Sequence, residues 1–293
     1  MLILISDAFD KSLPEKLSVY GEVTDDKSRL KDADVVLIRS KTKATKEYID
    51  EAKNLKLIIR GGVGMDNIDK AYCKEKGIIA VNTPKSSAIA VAELAFALMI
   101  SVPCHIPFYD NTMKKGEWQK SVKRTELYGK TLCLLGMGNI ARKVAERAKA
   151  FGMNVVSYDK YVESSDLATM MSLEDAVKDA DYISMHLPYT SETDKMVNKA
   201  LIEKMTHHPV IINTGRGKCV DENDVAEALK TGALSWYCTD VYSSEPPEAS
   251  NPLLGCENII FTPHVGANTN ENLLRIGEEV FETIGNLLKE GKI

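Results

Sequence analysis

Residues 131–141, TLCLLGMGNIA, decide the fold of this chain. Their apolar run predicts a buried strand, and the glycines after it predict a tight turn into a helix that ends near Phe151. Gly136 permits the turn, and Gly138 lets the backbone approach a pyrophosphate that rests on the amide groups of the helix N-terminus. Ala141 replaces the third glycine of G-x-G-x-x-G, and its small side chain still allows close packing. The segment therefore predicts a dinucleotide site, with a plain strand-to-helix turn as the alternative.

An acidic residue then follows the next predicted strand, residues 154–158. Asp159 stands about 20 residues beyond the glycines, where a carboxylate binds the adenosine ribose hydroxyls. This carboxylate favours NAD, because the 2′-phosphate of NADP would meet its negative charge. The neighbouring Lys160 weakens that preference a little.

Short apolar and β-branched runs recur between amphipathic segments along the whole chain. Their continuity is typical of parallel strands covered by helices on both faces, so we predict an α/β fold with two doubly wound parallel sheets. The predicted strands are residues 2–6, 35–40, 57–60, 78–82, 131–136, 154–159, 182–187, 210–215, 234–241 and 258–262.

Two helical segments define the predicted domains. Residues 88–100 form an apolar candidate hinge helix closed by prolines, and residues 270–288 form a terminal helix without strands of its own. We expect that helix to dock on the N-terminal region. This gives a discontinuous flavodoxin-like substrate domain, residues 1–94 and 266–293, and a Rossmann-type NAD domain, residues 95–265.

The composition restricts the function. The 293 residues are 44% hydrophobic and 27% charged, with a net charge of −5, which is ordinary for a soluble globular protein. No excess of Lys and Arg exists to neutralise a phosphate backbone, so no nucleic acid partner is expected. No apolar run reaches about 18 residues, which predicts no membrane segment and a cytoplasmic location. The six scattered cysteines show no ligand spacing, so they are expected to be reduced, and no metal site is predicted.

Three side chains after the late strands fit the chemistry of an alcohol dehydrogenation. That reaction needs a base for the hydroxyl proton and a cation for the substrate carboxylate and oxygen. His264 suits the first role and the planar fork of Arg216 the second. Glu245 is predicted to be a buried acid that orients His264 and raises its pKa. Taken singly, each residue also has an ordinary structural interpretation, but all three follow strands, where α/β sheets bind ligands.

These motifs resemble the D-isomer-specific 2-hydroxyacid dehydrogenase family over nearly the whole chain, and most closely its branch that acts on D-3-phosphoglycerate. The motifs are RGGVGMDNID at 60–69, NTP at 82–84, VAE at 91–93, GMGNIA at 136–141, residues 213–221, DVY at 240–242 with EPP at 245–247, and residues 262–269.

The resemblance implies roles for individual residues. His264 would be the acid/base, Glu245 its partner and Arg216 the carboxylate and carbonyl anchor. Substrate contacts are expected from Val63, Gly64, Arg216 and His264. Independently of the resemblance, Arg60 ends a predicted strand directly before the loop at 61–64, so its side chain is expected to contribute to phosphate recognition. Asp240 would hold the nicotinamide carboxamide, and Thr83 would reach the cofactor from the other domain. The expected NAD contacts are Thr83, Gly136, Gly138, Asn139, Ile140, Asp159, Leu187, Thr214, Gly215, Asp240, Gly266 and Ala267.

The substrate is expected to be D-3-phosphoglycerate or, in reduction, 3-phosphohydroxypyruvate. This substrate would place the chain in serine biosynthesis. The protein is also expected to be a homodimer. A glyoxylate or hydroxypyruvate reductase, or another D-2-hydroxyacid dehydrogenase, would use the same catalytic set. An NAD-sensing binding protein of the corepressor type is the alternative from another class. Because the sequence ends soon after the terminal helix, we expect no additional regulatory domain and no feedback control through one.

Overall fold

The computed structural model describes residues 1–293, which form two compact units. Unit 1 comprises Met1–Ala88 and Ala267–Ile293, and unit 2 comprises Ile89–Gly266. Each unit is built on one parallel sheet with apolar clusters on both faces. This arrangement confirms the predicted fold class of two doubly wound α/β domains.

Unit 1 has the strand order β2-β1-β3-β4-β5, the order of flavodoxin-like sheets. The strands are β1 (Leu2–Ile5), β2 (Glu22–Thr24), β3 (Val35–Ile38), β4 (Leu57–Arg60) and β5 (Ile79–Asn82). Its helices are α1 (Leu13–Leu17), α2 (Lys46–Glu51), α3 (Lys70–Glu75) and α10 (Asn270–Lys289), with short 3₁₀ turns at Ser18–Tyr20 and Lys27–Asp32.

The two faces of the unit 1 sheet bury alternate side chains of each strand, since successive strand residues point to opposite faces. Leu2 and Leu4 of β1 belong to the cluster that includes residues of α2 and α3. Ile3 belongs to the opposite cluster, which includes residues of α1 and α10. The α10 side chains in that cluster recur every four residues, as one face of a helix requires: Ile276, Val280 and Ile284.

Unit 2 has the order β12-β11-β10-β9-β6-β7-β8, the Rossmann order with one added strand, and every pairing is parallel. The strands are β6 (Thr131–Leu135), β7 (Asn154–Tyr158), β8 (Thr169–Met170), β9 (Tyr182–Met185), β10 (Val210–Asn213), β11 (Trp236–Thr239) and β12 (Ile259–Phe261). The helices are α4 (Ala88–Ser101), α5 (Ile106–Lys114), α6 (Asn139–Ala150), α7 (Leu173–Lys178), α8 (Lys199–Ile202) and α9 (Glu222–Thr231), with 3₁₀ turns at Gly217–Cys219 and Pro252–Gly255.

Two strands escaped the sequence prediction, β2 and β8. Both lie at the edge of their sheets and both are short. An edge strand has one paired side, and the residues of these two are exposed or half-buried. They therefore lack the continuous apolar run that marks the interior strands.

Helix α4 lies in the core of unit 2, where Ala92, Ala95 and Met99 are fully buried. No single helix is long and apolar enough to cross a membrane; the bent pair α4 and α5, which meet at 67°, passes the same criterion by length and composition only. All six cysteines are free thiols, and four of them are buried.

Candidate active site

His264 and Glu245 contact each other in unit 2. His264 follows β12 by three residues and adopts a left-handed backbone conformation with φ of 52°. Its Nδ1 lies 2.6 Å from Glu245 Oε2, and Glu245 Oε1 accepts a hydrogen bond from the Tyr242 N–H at 3.2 Å. The carboxylate therefore fixes the orientation of the imidazole through Nδ1, and Nε2 is the ring nitrogen that does not contact Glu245.

Asp240 holds the loop that carries His264. This buried carboxylate accepts hydrogen bonds from the Thr262 hydroxyl at 2.5 Å, the Val265 N–H at 2.9 Å and the Gly266 N–H at 2.8 Å. The donors flank His264 on both sides, so they stabilise its left-handed conformation. Sequence reasoning gave Asp240 only a cofactor contact and missed this role.

Glu245 is not the buried acid that the sequence predicted, because 39% of its side chain is exposed. Partial desolvation acts to raise its pKa, but four favourable interactions outweigh this and leave the pKa below its usual value. These are the hydrogen bond and charge of His264, the Tyr242 N–H and the charge of Arg216. Glu245 is thus an ionised group at neutral pH that interacts with both His264 and Arg216.

Two local hydrogen bonds hold the loop that carries Arg216, directly after β10. Asn213 Nδ2 donates to the Arg216 carbonyl at 3.1 Å, and Arg216 Nη1 donates to the Gly215 carbonyl at 2.7 Å. Gly217 is required here, since a Cβ atom would lie 2.0 Å from the carbonyl carbon of Tyr242. The close approach joins this loop to the backbone that also binds Glu245.

The glycine loop of unit 2 has the shape needed for a pyrophosphate. Gly136 has φ of 96°, and its Cβ would lie 3.0 Å from the His186 carbonyl oxygen. A Cβ at Gly138 would meet nothing within 4 Å, so the backbone is open to a ligand where α6 begins. Asp159 Oδ2 accepts the Met137 N–H at 2.7 Å, which places the predicted ribose acid against the same loop. These residues fit a dinucleotide.

The remaining predicted NAD residues divide between the units. Leu187 reaches within 3.4 Å of the Cβ position of Gly136, and its carbonyl within 3.3 Å of that of Gly215. Thr214 has a buried hydroxyl without a hydrogen-bond partner. Asn139 and Ile140 open α6, Gly266 binds Asp240, and Ala267 belongs to unit 1, where its carbonyl accepts a hydrogen bond from Asn272.

In unit 1, the predicted substrate loop follows β4. Thr83 Oγ1 accepts the Gly62 N–H at 2.7 Å, and Asn82 Nδ2 donates to the Val63 carbonyl. Arg60 folds over this loop, because a Cβ at Gly62 would lie 1.8 Å from Arg60 Nη1. Val63 is exposed and Gly64 half-buried, so both can meet a ligand.

Thr83, whose contact with the cofactor stays a prediction, holds the backbone of the unit 1 loop that follows β4. The residue is fully buried, and its hydroxyl is already engaged by Gly62. Its role in the structure is to hold the substrate loop. Burial of a threonine at the end of β5 could not be read from the tripeptide Asn82-Thr83-Pro84, which indicates only a strand end.

Arg39 is a strand-end cation that sequence reasoning missed. Arg39 directly follows β3, and Arg60 is the last residue of β4. The two strands are neighbours, and Ile38 lies opposite Arg60. Its backbone N–H bonds to Asp7 Oδ2 at 2.5 Å, and its buried Nε has no hydrogen-bond partner. Burial lowers the pKa of the Arg39 guanidinium, while the charge of Asp7 opposes that shift. An arginine directly after an apolar run was the available signal.

His186 is a buried histidine behind the glycine loop. Its Nε2 lies 2.9 Å from Ser184 Oγ, its Nδ1 has no hydrogen-bond partner, and its carbonyl meets the Gly136 turn. Burial lowers the pKa of His186 to about 4, so the ring is neutral at physiological pH.

Comparison with known proteins identifies the family. Residues 96–266 match the family model described as D-isomer specific 2-hydroxyacid dehydrogenase, NAD binding domain. The chain belongs to the D-isomer-specific 2-hydroxyacid dehydrogenase family. Unit 2 therefore contains the NAD-binding domain of this family, consistent with its Rossmann strand order and open glycine loop.

Members of this family with different names are similarly close. The chain is 41% identical to D-3-phosphoglycerate dehydrogenase of Methanocaldococcus jannaschii, over 98% of this chain and 57% of that protein. It is 40% identical to hydroxypyruvate reductase of Thermotoga maritima, over 96% of both. The chain thus spans about half the length of the phosphoglycerate dehydrogenases it matches and nearly all of the reductase.

A solved structure of the family has the same fold over the full chain. D-lactate dehydrogenase of Aquifex aeolicus, complexed with NAD and lactic acid, superposes with a TM-score of 0.87 at 30% identity. The match covers 100% of this chain and 97% of that one. NAD is therefore a cofactor bound by this fold.

Proposed function

We propose that the protein is an NAD-dependent dehydrogenase that interconverts D-3-phosphoglycerate and 3-phosphohydroxypyruvate. The observation that carries the reaction type is the 2.6 Å contact between His264 and Glu245, with the Arg216 charge acting on the same carboxylate. A histidine oriented by an acid, beside an arginine, is the set that a 2-hydroxy acid needs for proton transfer and anchoring.

Each residue has a distinct task in the proposed reaction. NAD, when bound, supplies the hydride acceptor for oxidation, and NADH the donor for reduction. His264 takes the substrate hydroxyl proton on Nε2 while Glu245 holds Nδ1–H and stabilises the imidazolium that forms. The Arg216 fork binds the substrate carboxylate and polarises the C2 oxygen. Residues 63–64 of unit 1 are proposed to add backbone amides for the carboxylate.

The phosphate assignment depends on arginines at the strand ends of unit 1. Arg39 and Arg60 follow adjacent strands, and the Arg60 side chain lies over the substrate loop. A phosphate ester needs such cations at the end remote from its carboxylate. The similarity to phosphoglycerate dehydrogenases supports this substrate and, with it, a place in serine biosynthesis.

Hydroxypyruvate reduction is the second candidate, because the Thermotoga reductase aligns over nearly its full length. The discriminating experiment is a steady-state assay of NADH oxidation with 3-phosphohydroxypyruvate, hydroxypyruvate, glyoxylate and pyruvate. We expect the highest kcat/KM with 3-phosphohydroxypyruvate. A higher value with hydroxypyruvate or glyoxylate would transfer the assignment to the reductase.

The same assay tests the binding-protein alternative. A nucleotide sensor of the corepressor type would bind NADH without oxidising it in the presence of any keto acid. Since such a protein has no need of the His264, Glu245 and Arg216 arrangement, we expect turnover. Sedimentation of the same preparation checks the predicted homodimer.

A further inference from the structure

Lys160 and Glu192 form an ion pair between two loops of unit 2. Lys160 Nζ lies 2.5 Å from Glu192 Oε1 and 2.6 Å from Oε2. Lys160 follows Asp159 after β7, and Glu192 lies in the loop after β9. In the sheet, β6 lies between β9 and β7, so the pair joins the two loops that flank the glycine loop.

Both loops are held by local hydrogen bonds. Asp159 Oδ1 accepts the N–H groups of Tyr161 and Val162 at 2.8 and 3.1 Å, which wraps the backbone around Lys160. In the other loop, buried Thr193 donates from Oγ1 to the Pro188 carbonyl at 2.6 Å. The two charges therefore project from fixed turns.

Lys160 is the cation next to the acid that binds the ribose hydroxyls in such domains. The 2′-phosphate that distinguishes NADP carries roughly −1.5 to −2 charge at neutral pH. An available lysine at that place would attract it and offset Asp159. Glu192 occupies the ammonium with both carboxylate oxygens, and its hydrogen bond raises the pKa of Lys160, so the lysine stays charged but engaged.

We propose that Glu192 is a cofactor-specificity residue, which disfavours NADP by sequestering Lys160. This inference rests on the proposed use of NAD. The pair is half-exposed at both ends, 51% and 59%, so it contributes little to the stability of the fold. The effect of the ion pair is therefore expected on nucleotide choice.

The test is a direct titration of NADH and NADPH onto the full chain in the absence of substrate. Nicotinamide fluorescence reports the binding. Glu192→Gln is expected to lower the Kd for NADPH by about two- to fivefold, the upper part of the range of one exposed charge pair, while the Kd for NADH stays the same. The melting temperature should stay the same.

Two further variants separate sequestering from a general charge effect. Glu163→Gln removes an exposed acid from the loop that follows β7 and is the matched control, expected to leave the NADPH to NADH ratio unchanged. In a Lys160→Gln background, Glu192→Gln should lose most of its effect, because no ammonium remains to be released. An equal effect in that background, or an equal effect of Glu163→Gln, would overturn the inference.

The outcome is separable from failure of the proposed function. If NADH binds and Glu192→Gln leaves the preference between nucleotides as it was, the specificity role is wrong while the NAD site stands. If the unmodified protein binds neither nucleotide, the proposed function itself fails, and the inference fails with it.

Discussion

Asp240 and Thr83 hold comparable loops at the carboxyl ends of the two sheets, but the loops offer different atoms. In unit 2, Asp240 binds the loop from which His264 projects. In unit 1, Thr83 binds Gly62, in a loop of glycines and an exposed valine that offers backbone. One buried side chain per loop thus stabilises an ionisable group in the first case and a row of amides in the second.

The two units also differ in where the histidines lie. All five, at positions 105, 186, 207, 208 and 264, belong to unit 2, whereas the strand ends of unit 1 carry Arg39 and Arg60. Histidine changes its charge near neutral pH and arginine does not. We infer that unit 2 performs proton transfer and unit 1 recognises charge, so changes in unit 2 should lower kcat and changes in unit 1 should alter substrate choice.

The largest effect is expected from His264→Ala. Loss of a positioned acid/base lowers kcat by about 10² to 10⁴, while NADH binding should be nearly unchanged. Stopped-flow or steady-state reduction of 3-phosphohydroxypyruvate gives kcat, and fluorescence titration gives the Kd. His208→Ala, an exposed histidine of the same unit, is the control. A loss below tenfold would remove proton transfer from His264.

Arg216→Lys should follow, with kcat/KM lowered by about 10²-fold, the scale for removing a donor that stabilises developing charge. A point charge cannot reproduce the two parallel hydrogen bonds of the guanidinium fork. Arg124→Lys, at an exposed position in unit 2, should be neutral. Near-normal kinetics in Arg216→Lys would place the anchor elsewhere.

Arg60→Ala in unit 1 should change the preference between substrates with and without a phosphate. Charge-assisted hydrogen bonds contribute roughly 1.5 to 3 kcal/mol, so kcat/KM for 3-phosphohydroxypyruvate should fall about tenfold or more. Hydroxypyruvate has no phosphate, and its kcat/KM should change far less. Arg29→Ala, at a half-buried arginine of unit 1 that pairs with Glu22, serves as the control. Equal losses on both substrates would make Arg60 structural.

The smallest effect on activity at pH 7 is expected from His186→Gln, whose consequence is for stability in acid. The folded state keeps His186 neutral down to about pH 4, whereas the unfolded chain protonates it near 6.5. Stability from this group is therefore present above pH 6.5 and lost as the pH falls toward 4, by at most roughly 3 kcal/mol.

Urea unfolding of both proteins between pH 7 and 4.5 measures this. Although the substitution lowers stability at pH 7, the variant should lose less upon acidification than the unmodified protein, because its side chain does not titrate. Since unit 1 contains no histidine, the change should be confined to the transition of unit 2. Identical pH slopes would show that His186 is not the group responsible.

The sequence predicted the fold well because interior parallel strands are continuous apolar runs, as in β6 and β10, and because the glycine turn has a fixed chemistry. It failed for β2 and β8, whose residues Glu22–Thr24 and Thr169–Met170 carry no such run.

Within the site, the meeting of His264 with Glu245 was predictable, since both follow strands at one edge of a sheet. The bonds from the backbone of Val265 and Gly266 to Asp240 were not, because they depend on the direction of N–H groups in a loop. The same holds for Thr83, whose burial is set by neighbours distant in sequence, and for the meeting of Lys160 with Glu192.

The docking of α10 has a consequence for synthesis on the ribosome. Unit 2 contains only residues that precede Ala267, so its core needs no residue of α10. Unit 1 begins first and finishes last, because Ile276, Val280 and Ile284 complete the cluster around Ile3 and Leu57. Until α10 is made, one apolar face of the unit 1 sheet stays uncovered, and exposed apolar surface of this kind is prone to aggregation.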